Sequence, residues 1–279
     1  MRDEMVYRRF APPAELRAYV EHFWMVEAPC DVEPRREILI PNGRPAVVLN
    51  LGTPGVRHDP LTGTSHPNDG VVFGISTRPY VLEQSGASSY VGAQLTPWGL
   101  AALMTRARLV DEFLPVREWL GVHVVDDLVR RLGAQGFGQP RVDVLVGFLE
   151  KRISPIERGA LLLLRSAVVA IDEARGVMTV ADLSAGLGVS YSALYRLCRQ
   201  YLGVGPKQFC EITRYYHFAG GLLEQAGWDS RALLASLHGY YDQAHAARAF
   251  KRFTGVSATS FAKINNGIAR LMHSSSAAD

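Results

Sequence analysis

The sequence predicts an α+β chain in two parts: a β-rich N-terminal barrel or sandwich with flanking helices, then an all-α C-terminal part. Three observations predict it. Short apolar runs separated by Gly, Pro and Asn turns occupy the stretch up to Leu95, as in antiparallel barrels and sandwiches. After Pro97 the apolar residues recur with the 3.6-residue period of helices. Finally, the stretch from Ser190 to Val204 returns as Asp242 to Val256, 52 positions later.

Composition sets the bounds. The 279 residues suffice for two domains with their own cores. The 48% hydrophobic and 20% charged fractions are those of a globular chain. No run of about eighteen apolar residues exists, so no membrane span is expected. The start, Met1-Arg2-Asp3-Glu4-Met5, lacks the apolar core of a secretory signal. Cys30, Cys198 and Cys210 follow neither paired nor metal-ligand spacing, which predicts reduced packing thiols in a cytoplasmic protein. The net charge of +3 is unevenly spread. Residues 1–150 carry 15 Lys and Arg against 18 Asp and Glu, and residues 151–279 carry 15 against 9. A basic half beside a mildly acidic one suggests a nucleic-acid module with a regulatory neighbour.

Taken in order, Pro12 to His22 reads as a short helix entered through prolines, and Phe23-Trp24-Met25-Val26 as a strand. Ile38-Leu39-Ile40, the turn Pro41-Asn42-Gly43, and Ala46 to Leu51 read as strand, turn and buried strand. Residues 53–70, rich in Gly, Pro, Thr and His, read as a loop. Val71 to Ile75, Tyr80 to Glu83 and Ser89 to Leu95 are further strands. Leu100 to Leu109, Val124 to Leu132 and Val142 to Arg152 have helical periodicity. Ser154-Pro155 interrupts this run and sets the expected division into domains 1–153 and 154–279. Beyond it, Glu157 to Ala174 is a long apolar helix stopped by Gly176.

In the repeat, Ser190 and Asp242 are matching helix caps, Arg196 matches Arg248, and Arg199 matches Lys251. Cys198 matches Phe250 on the packing face, and Gly203-Val204 matches Gly255-Val256 as the stop. Ala181 to Leu187, and Arg231 to Leu237, are the preceding short helices. Each unit is therefore helix, tight turn, capped helix and glycine stop, the helix-turn-helix layout. Pro206 to Glu224 reads as one connecting helix, with Phe209, Ile212, Tyr216, Ala219 and Leu223 at helical spacing. About eighteen residues at ~1.5 Å rise give roughly 27 Å, a spacer able to present two helices to successive major grooves ~34 Å apart.

Residues from about 158 to 264 resemble the DNA-binding domain of the AraC/XylS family of bacterial transcription regulators. Gly239 to His245 and Arg248 to Ser257 carry that family's most specific signature. Ala246 departs from it where an aromatic is usual, Ala258 where proline is usual, and Cys198 replaces a usual phenylalanine. A looser second unit is therefore expected unless Tyr240 and Tyr241 compensate.

Leu194 and Cys198, with Leu197 beside them, are expected to face the core. Ser190, Tyr191, Ser192, Tyr195, Arg196 and Arg199 then form the first DNA-facing set, with Gln243, Ala244, His245, Arg248, Lys251 and Arg252 as the second. Arg196 can read guanine or clamp a phosphate, Gln243 suits adenine, and Ala244 suits a thymine methyl. Lys251 and Arg252 suit phosphates, which position without specifying. By the resemblance, Arg248 has a structural salt bridge as an alternative role.

The N-terminal part resembles the cupin-like sensor domain of one branch of these regulators. The matching residues include Tyr19 to Trp24, Ile40 to Gly43, Val48 to Gly52, Arg78-Pro79-Tyr80, and Val91 to Leu95 with Pro97-Trp98-Gly99. The resemblance implies that it binds a small effector, dimerises, or both, with Trp24, Asn50, Arg78, Tyr80, Gln94 and Trp98 as candidate pocket residues. The chemistry of an enzyme is not legible. His22, His58, His66 and His123 form no metal-ligand pair, no nucleophile elbow or phosphate loop exists, and no cofactor is expected. The resulting expectation is a sequence-specific DNA-binding regulator without catalytic or metal residues. Double-stranded DNA is its partner, together with an effector, a second copy, or RNA polymerase if it activates. The alternatives are a cupin-like metalloenzyme carrying a DNA-binding appendage, and a regulator whose first domain is a scaffold for dimerisation alone.

Overall fold

The computed structural model describes residues 5–30, 33–104, 109–224, 239, 243–255 and 257. Among the described residues ten strands follow one another as β1 (Val6–Phe10), β2 (Val20–Ala28), β3 (Arg35–Leu39), β4 (Ala46–Asn50), β5 (Gly55–His58), β6 (Ser65–Asn68), β7 (Val71–Phe73), β8 (Tyr80–Gln84), β9 (Ser88–Leu95) and β10 (Phe113–Pro115). They form two antiparallel sheets, one in the order β1-β2-β9-β4-β7-β10 and the other β3-β8-β5-β6. The larger sheet is buried on both faces. Val47, Leu49, Val91, Ala93 and Leu95 pack beneath helices α3 (Val122–Gly133) and α4 (Gln139–Glu150), joining Leu128, Leu132, Val142 and Leu145. Their neighbours Ala46, Val48 and Tyr90 face the smaller sheet with Val26 and Val71. Alternation with period two sends successive residues to opposite faces, so a strand covered on both sides reads as the unbroken apolar run AVVLN.

Two expected elements are replaced. The helix over Pro12–His22 is a set of turns, with the Leu16 and Tyr19 amides bonded to the Pro13 and Leu16 carbonyls. β2 begins at Val20, opposite Leu95 of β9, so pairing with a central strand overrides the local helical pattern. The stretch 53–70 is not a loop but the β5–β6 hairpin, its turn held by Asp59, whose carboxylate accepts from the Leu61 and Thr62 amides. The helix expected over Leu100–Leu109 is the short α1 (Gly99–Leu103), and α2 (Val116–Leu120) follows β10 directly.

The described residues beyond α4 form α5 (Arg158–Glu173), α6 (Val180–Gly186), α7 (Tyr191–Tyr201), α8 (Pro206–Glu224) and α9 (Gln243–Thr254). Glu157 caps α5 by accepting from the Gly159 and Ala160 amides at 2.8 and 2.7 Å. Gly176 stops it at φ +71°, where a Cβ would stand 2.2 Å from the Cys210 carbonyl oxygen, so only glycine fits between α5 and α8. The helical core contains Leu164, Ile171, Leu194, Phe209, Ile212 and Tyr215, and it takes in Tyr19, Ile38, Ile75 and Trp98 from the β-rich part. Arg44 adds a polar tie, donating to Glu21 at 2.5 Å and to Asp172 of α5 at 2.6 Å.

Candidate nucleic-acid interface and adjoining cavity

The first helix-turn-helix unit is α6 and α7. Thr179 caps α6, its hydroxyl accepting from the Asp182 amide at 3.0 Å and donating to the Asp182 carboxylate at 2.6 Å. Gly188, at φ +64°, makes the tight turn, and Ser190 caps α7 by accepting from the Ala193 amide at 3.2 Å. Leu194 and Cys198 are buried, as expected, with Leu197 half-buried beside them. Tyr191 and Tyr195 are 54% and 43% exposed and stack on one another at 6.2 Å, with Ser192 and Arg196 exposed alongside. Arg199 has a different occupation, donating to the Gly203 carbonyl at 2.6 Å at the helix end. Cations there also suit the negative end of the helix dipole.

In the second unit, α9 buries Ala246, Phe250 and Phe253. The small Ala246 does not leave this face without rings. Tyr215 of α8 stacks on Phe253 at 4.5 Å and meets Phe250 at 5.9 Å, while Phe218 meets Phe250 edge-on at 6.2 Å. Tyr240, Tyr241, Asp242, Ala258 and the short helix expected over Arg231–Leu237 lie outside the described residues. Ala244, His245, Arg248 and Lys251 are exposed. Arg252 is turned back, donating to Glu211 of α8 at 2.9 Å with its guanidinium 4.6 Å from the Phe253 ring centre. Gln243 is the first residue of the helix.

The two units are joined by α8, 19 residues long, or about 28 Å at ~1.5 Å per residue. One departure from its expected packing stripe matters for function. Tyr215, not Tyr216, is buried among the helices, and Tyr216 instead lines a cavity of about 110 Å³ in the β-rich part. The sandwiched sheet faces give this cavity aromatic walls, Tyr7, Trp24, Phe73, Tyr80 and Tyr90. Of the candidate effector residues, Trp24, Tyr80 and Gln94 line it. Asn50 instead ties a turn, donating to the Gly52 carbonyl and the Asp69 carboxylate. Arg78 pairs with Asp59 at 3.3 Å, and buried Trp98 donates to the Ala18 carbonyl at 2.8 Å. The Trp24 indole N–H is buried without a hydrogen-bond partner. Tyr216 was legible as an apolar helix residue, but nothing in the spacing says which neighbour it faces.

The β-rich part also meets the recognition helices directly. Leu61, Thr77 and Arg78 stand across a groove from Tyr191, Tyr195 and Arg252, and the Gly255 stop of α9 lies against Pro60 and Pro79. Among the described residues, no three His, Cys, Asp or Glu side chains converge as a metal group would require, and no helix is long and apolar enough to cross a membrane.

The described residues thus hold one capped helix-turn-helix unit, a connecting helix and a second helix with exposed cations, behind a two-sheet domain. Residues 183–264 match the family described as "Helix-turn-helix domain", and residues 8–113 match "Domain of unknown function (DUF6597)". No curated protein matches the chain. Among solved structures, ToxT from Vibrio cholerae O395 is similar at 10% identity and a TM-score of 0.47, covering 95% of this chain and 100% of its own. Unsaturated fatty acid-bound ToxT from Vibrio cholerae strain SCE256 is similar at 10% identity and a TM-score of 0.45, covering 95% of this chain and 98% of its own. The AraC-like transcriptional activator CuxR is similar at 13% identity and a TM-score of 0.32, covering 70% and 89%. Likeness at this level transfers neither ligand nor target to this chain.

Proposed function

We propose that the chain binds a specific DNA site through α7 and α9, and that a small molecule in the aromatic cavity modulates that binding through α8. The observation that carries this reading is Tyr216. It sits on the helix that sets the spacing of the two recognition helices, and its side chain forms part of the cavity wall. A ligand that displaces Tyr216 changes the relation of α8 to the β-rich part, which is the differential contact that coupling requires. In this reading residues 1–153 sense and residues 154–279 bind DNA, the chain works in the cytoplasm, and no catalytic step is involved. Ser190, Tyr191, Ser192, Tyr195 and Arg196 are the first reading set. Gln243, Ala244, His245, Arg248 and Lys251 are the second, with Arg199 and Arg252 supporting the helices that carry them. The effector residues are Trp24, Tyr80, Gln94 and Tyr216. A second copy and RNA polymerase are the protein partners that regulation of this kind calls for.

The test is binding-site selection on the purified protein, repeated across salt concentrations. A single enriched motif with two half-sites about one helical turn apart is expected. Binding that is steep in salt but indifferent to sequence overturns the specific-DNA reading. For the coupling, Tyr216→Ala is expected to keep operator affinity within a few-fold while abolishing its response to cavity ligands. An unchanged response in that variant removes α8 from the mechanism.

A further inference from the structure

Among the described residues two arginines are buried, Arg57 and Arg141, and Arg44 is half-buried; Arg44 and Arg141 have carboxylate partners. Arg44 pairs with Glu21 and Asp172, and Arg141 pairs with Glu27 at 2.8 Å. Arg57 of β5 is 6% exposed and has no carboxylate within ion-pair distance among the described residues. One of its amino groups donates to the Pro67 carbonyl at 3.1 Å, and its guanidinium lies 4.0 Å from the Phe113 ring centre. Its Nε–H is buried without a partner. Carbonyl and ring contacts offset only part of the cost of desolvating a cation, which amounts to several kcal/mol without a counter-ion.

The position of Arg57 makes that deficit informative. It lines a cleft of about 690 Å³ that adjoins the aromatic cavity and shares Val71, Ser76 and Tyr80 with it. Arg57 therefore stands at the threshold between water and the cavity. A second unpartnered donor of this region, the Trp24 indole N–H, belongs to the cavity wall. Guanidinium and indole are donors only, so what satisfies them must bring acceptors.

We infer that the cavity ligand is a small aromatic monocarboxylate, its ring among Tyr7, Trp24, Phe73 and Tyr80 and its carboxylate on Arg57. This rests on the reading of the cavity as the effector site and goes beyond it by naming the ligand's chemistry. Size limits the apolar body, because about 110 Å³ is close to the ~150 Å³ apolar cavity that accommodates benzene and leaves no room for a long chain. Charge limits the head. The cleft also carries Asp59, Asp69, Asp111, Glu112 and Glu118 against Arg78 and Arg117, the latter engaged by Asp126. Arg78 engages Asp59 and Asp111, and Asn50 donates to Asp69. A polyanion such as a nucleotide would meet that acidic rim, whereas a single carboxylate passes it with the least repulsion.

The probes are benzoate and its neutral isostere benzamide, titrated calorimetrically and by thermal shift into the full chain in a buffer free of other carboxylates. Benzoate is expected to bind about tenfold or more tightly than benzamide, the margin of a buried charge-assisted hydrogen bond. Arg57→Gln is expected to make the two bind equally. Arg57→Lys, which keeps the charge without the planar fork, is expected to retain a reduced preference for benzoate and serves should the glutamine variant not fold. Equal binding of both probes by the native chain overturns the carboxylate assignment and leaves the cavity a ligand site. Benzoate preference unchanged in either variant moves the anion site away from Arg57 and equally overturns it. Failure of both probes to bind at millimolar concentration overturns the ring-sized cavity reading as well.

Discussion

Ser190 caps α7, and Leu194 and Cys198 seat it. By contrast α9 is seated by Ala246, Phe250 and Phe253 against the rings of Tyr215 and Phe218. Their exposed faces differ as much as their seats. α7 shows a stacked tyrosine pair beside Arg196, while α9 shows Ala244, His245, Arg248 and Lys251. At equivalent positions near the helix ends stand Arg199 of α7 and Lys251 of α9, both exposed, and the Arg199 guanidinium donates to the Gly203 carbonyl. Among the described residues the repeat thus preserves the helix, of 11 and 12 residues, and its positive-φ glycine stop, while seat and exposed face vary independently. Length and stop are what the local fold requires, and the exposed face is free to differ.

The comparison can be broken most forcefully at Tyr215. Tyr215→Ala removes a fully buried ring from the seat of α9 and is expected to cost about 3–5 kcal/mol. Amide exchange should rise across α9 while α7 stays protected, and equal loss in both helices would make the two seats a single unit. A thiol reports on the other seat. Burial pushes Cys198 up to about 12 and Cys210 up to about 11, so at pH 8 the thiolate fraction of Cys198 is about one in ten thousand. Iodoacetamide is therefore expected to modify exposed Cys30 at least ~10³-fold faster than Cys198, whose labelling should await unfolding. Rapid labelling of Cys198 in the folded chain would show a seat that opens. On the reading faces, Arg196→Ala is expected to weaken operator binding by about 1–3 kcal/mol without lowering the melting temperature. Matching losses of affinity and melting temperature would make Arg196 structural, and a larger effect from Arg248→Ala would reverse the ranking of the helices. The smallest effect is expected from Glu211→Gln, which releases Arg252. An ion pair whose arginine is 62% exposed is worth at most about 1 kcal/mol, so a few-fold gain in DNA affinity with a steeper salt slope is the expected result.

Legibility in the sequence followed how local each determinant is. α7 could be placed because its cap, its period of 3.6 and its stop all lie within fifteen residues. The β5–β6 hairpin could not, because Gly, Pro, Thr and His mask its alternation. Pro67 is tolerated only because β6 is an edge strand that pairs with β5 alone. Pro12–His22 failed for the opposite reason, since its local pattern is helical and a distant strand claims Val20. Half of the effector candidates proved to be cavity walls. Those that did not, Asn50, Arg78 and Trp98, are polar or aromatic residues whose partners lie in turns and loops. The unpaired burial of Arg57 and the turn of Tyr216 toward the cavity are not legible, because an absent counter-charge and a choice of helix face leave no trace in spacing.

The Pro41–Asn42–Gly43 turn has a practical consequence. Gly43, at φ +72°, brings its backbone so close to Phe209 of α8 that an added Cβ would lie 3.1 Å from the ring, and Arg44 beside it reaches Asp172. Cutting the chain between α4 and α5 to obtain a minimal DNA-binding fragment would strip this cover, uncovering the sides of Phe209 and Ile212 that face Gly43 and leaving Asp172 without Arg44. Such a fragment is expected to self-associate. A workable excision would have to keep or replace the Pro41–Gly43 cover, because Phe209 and Ile212 also belong to the helical core and take no polar side chain there.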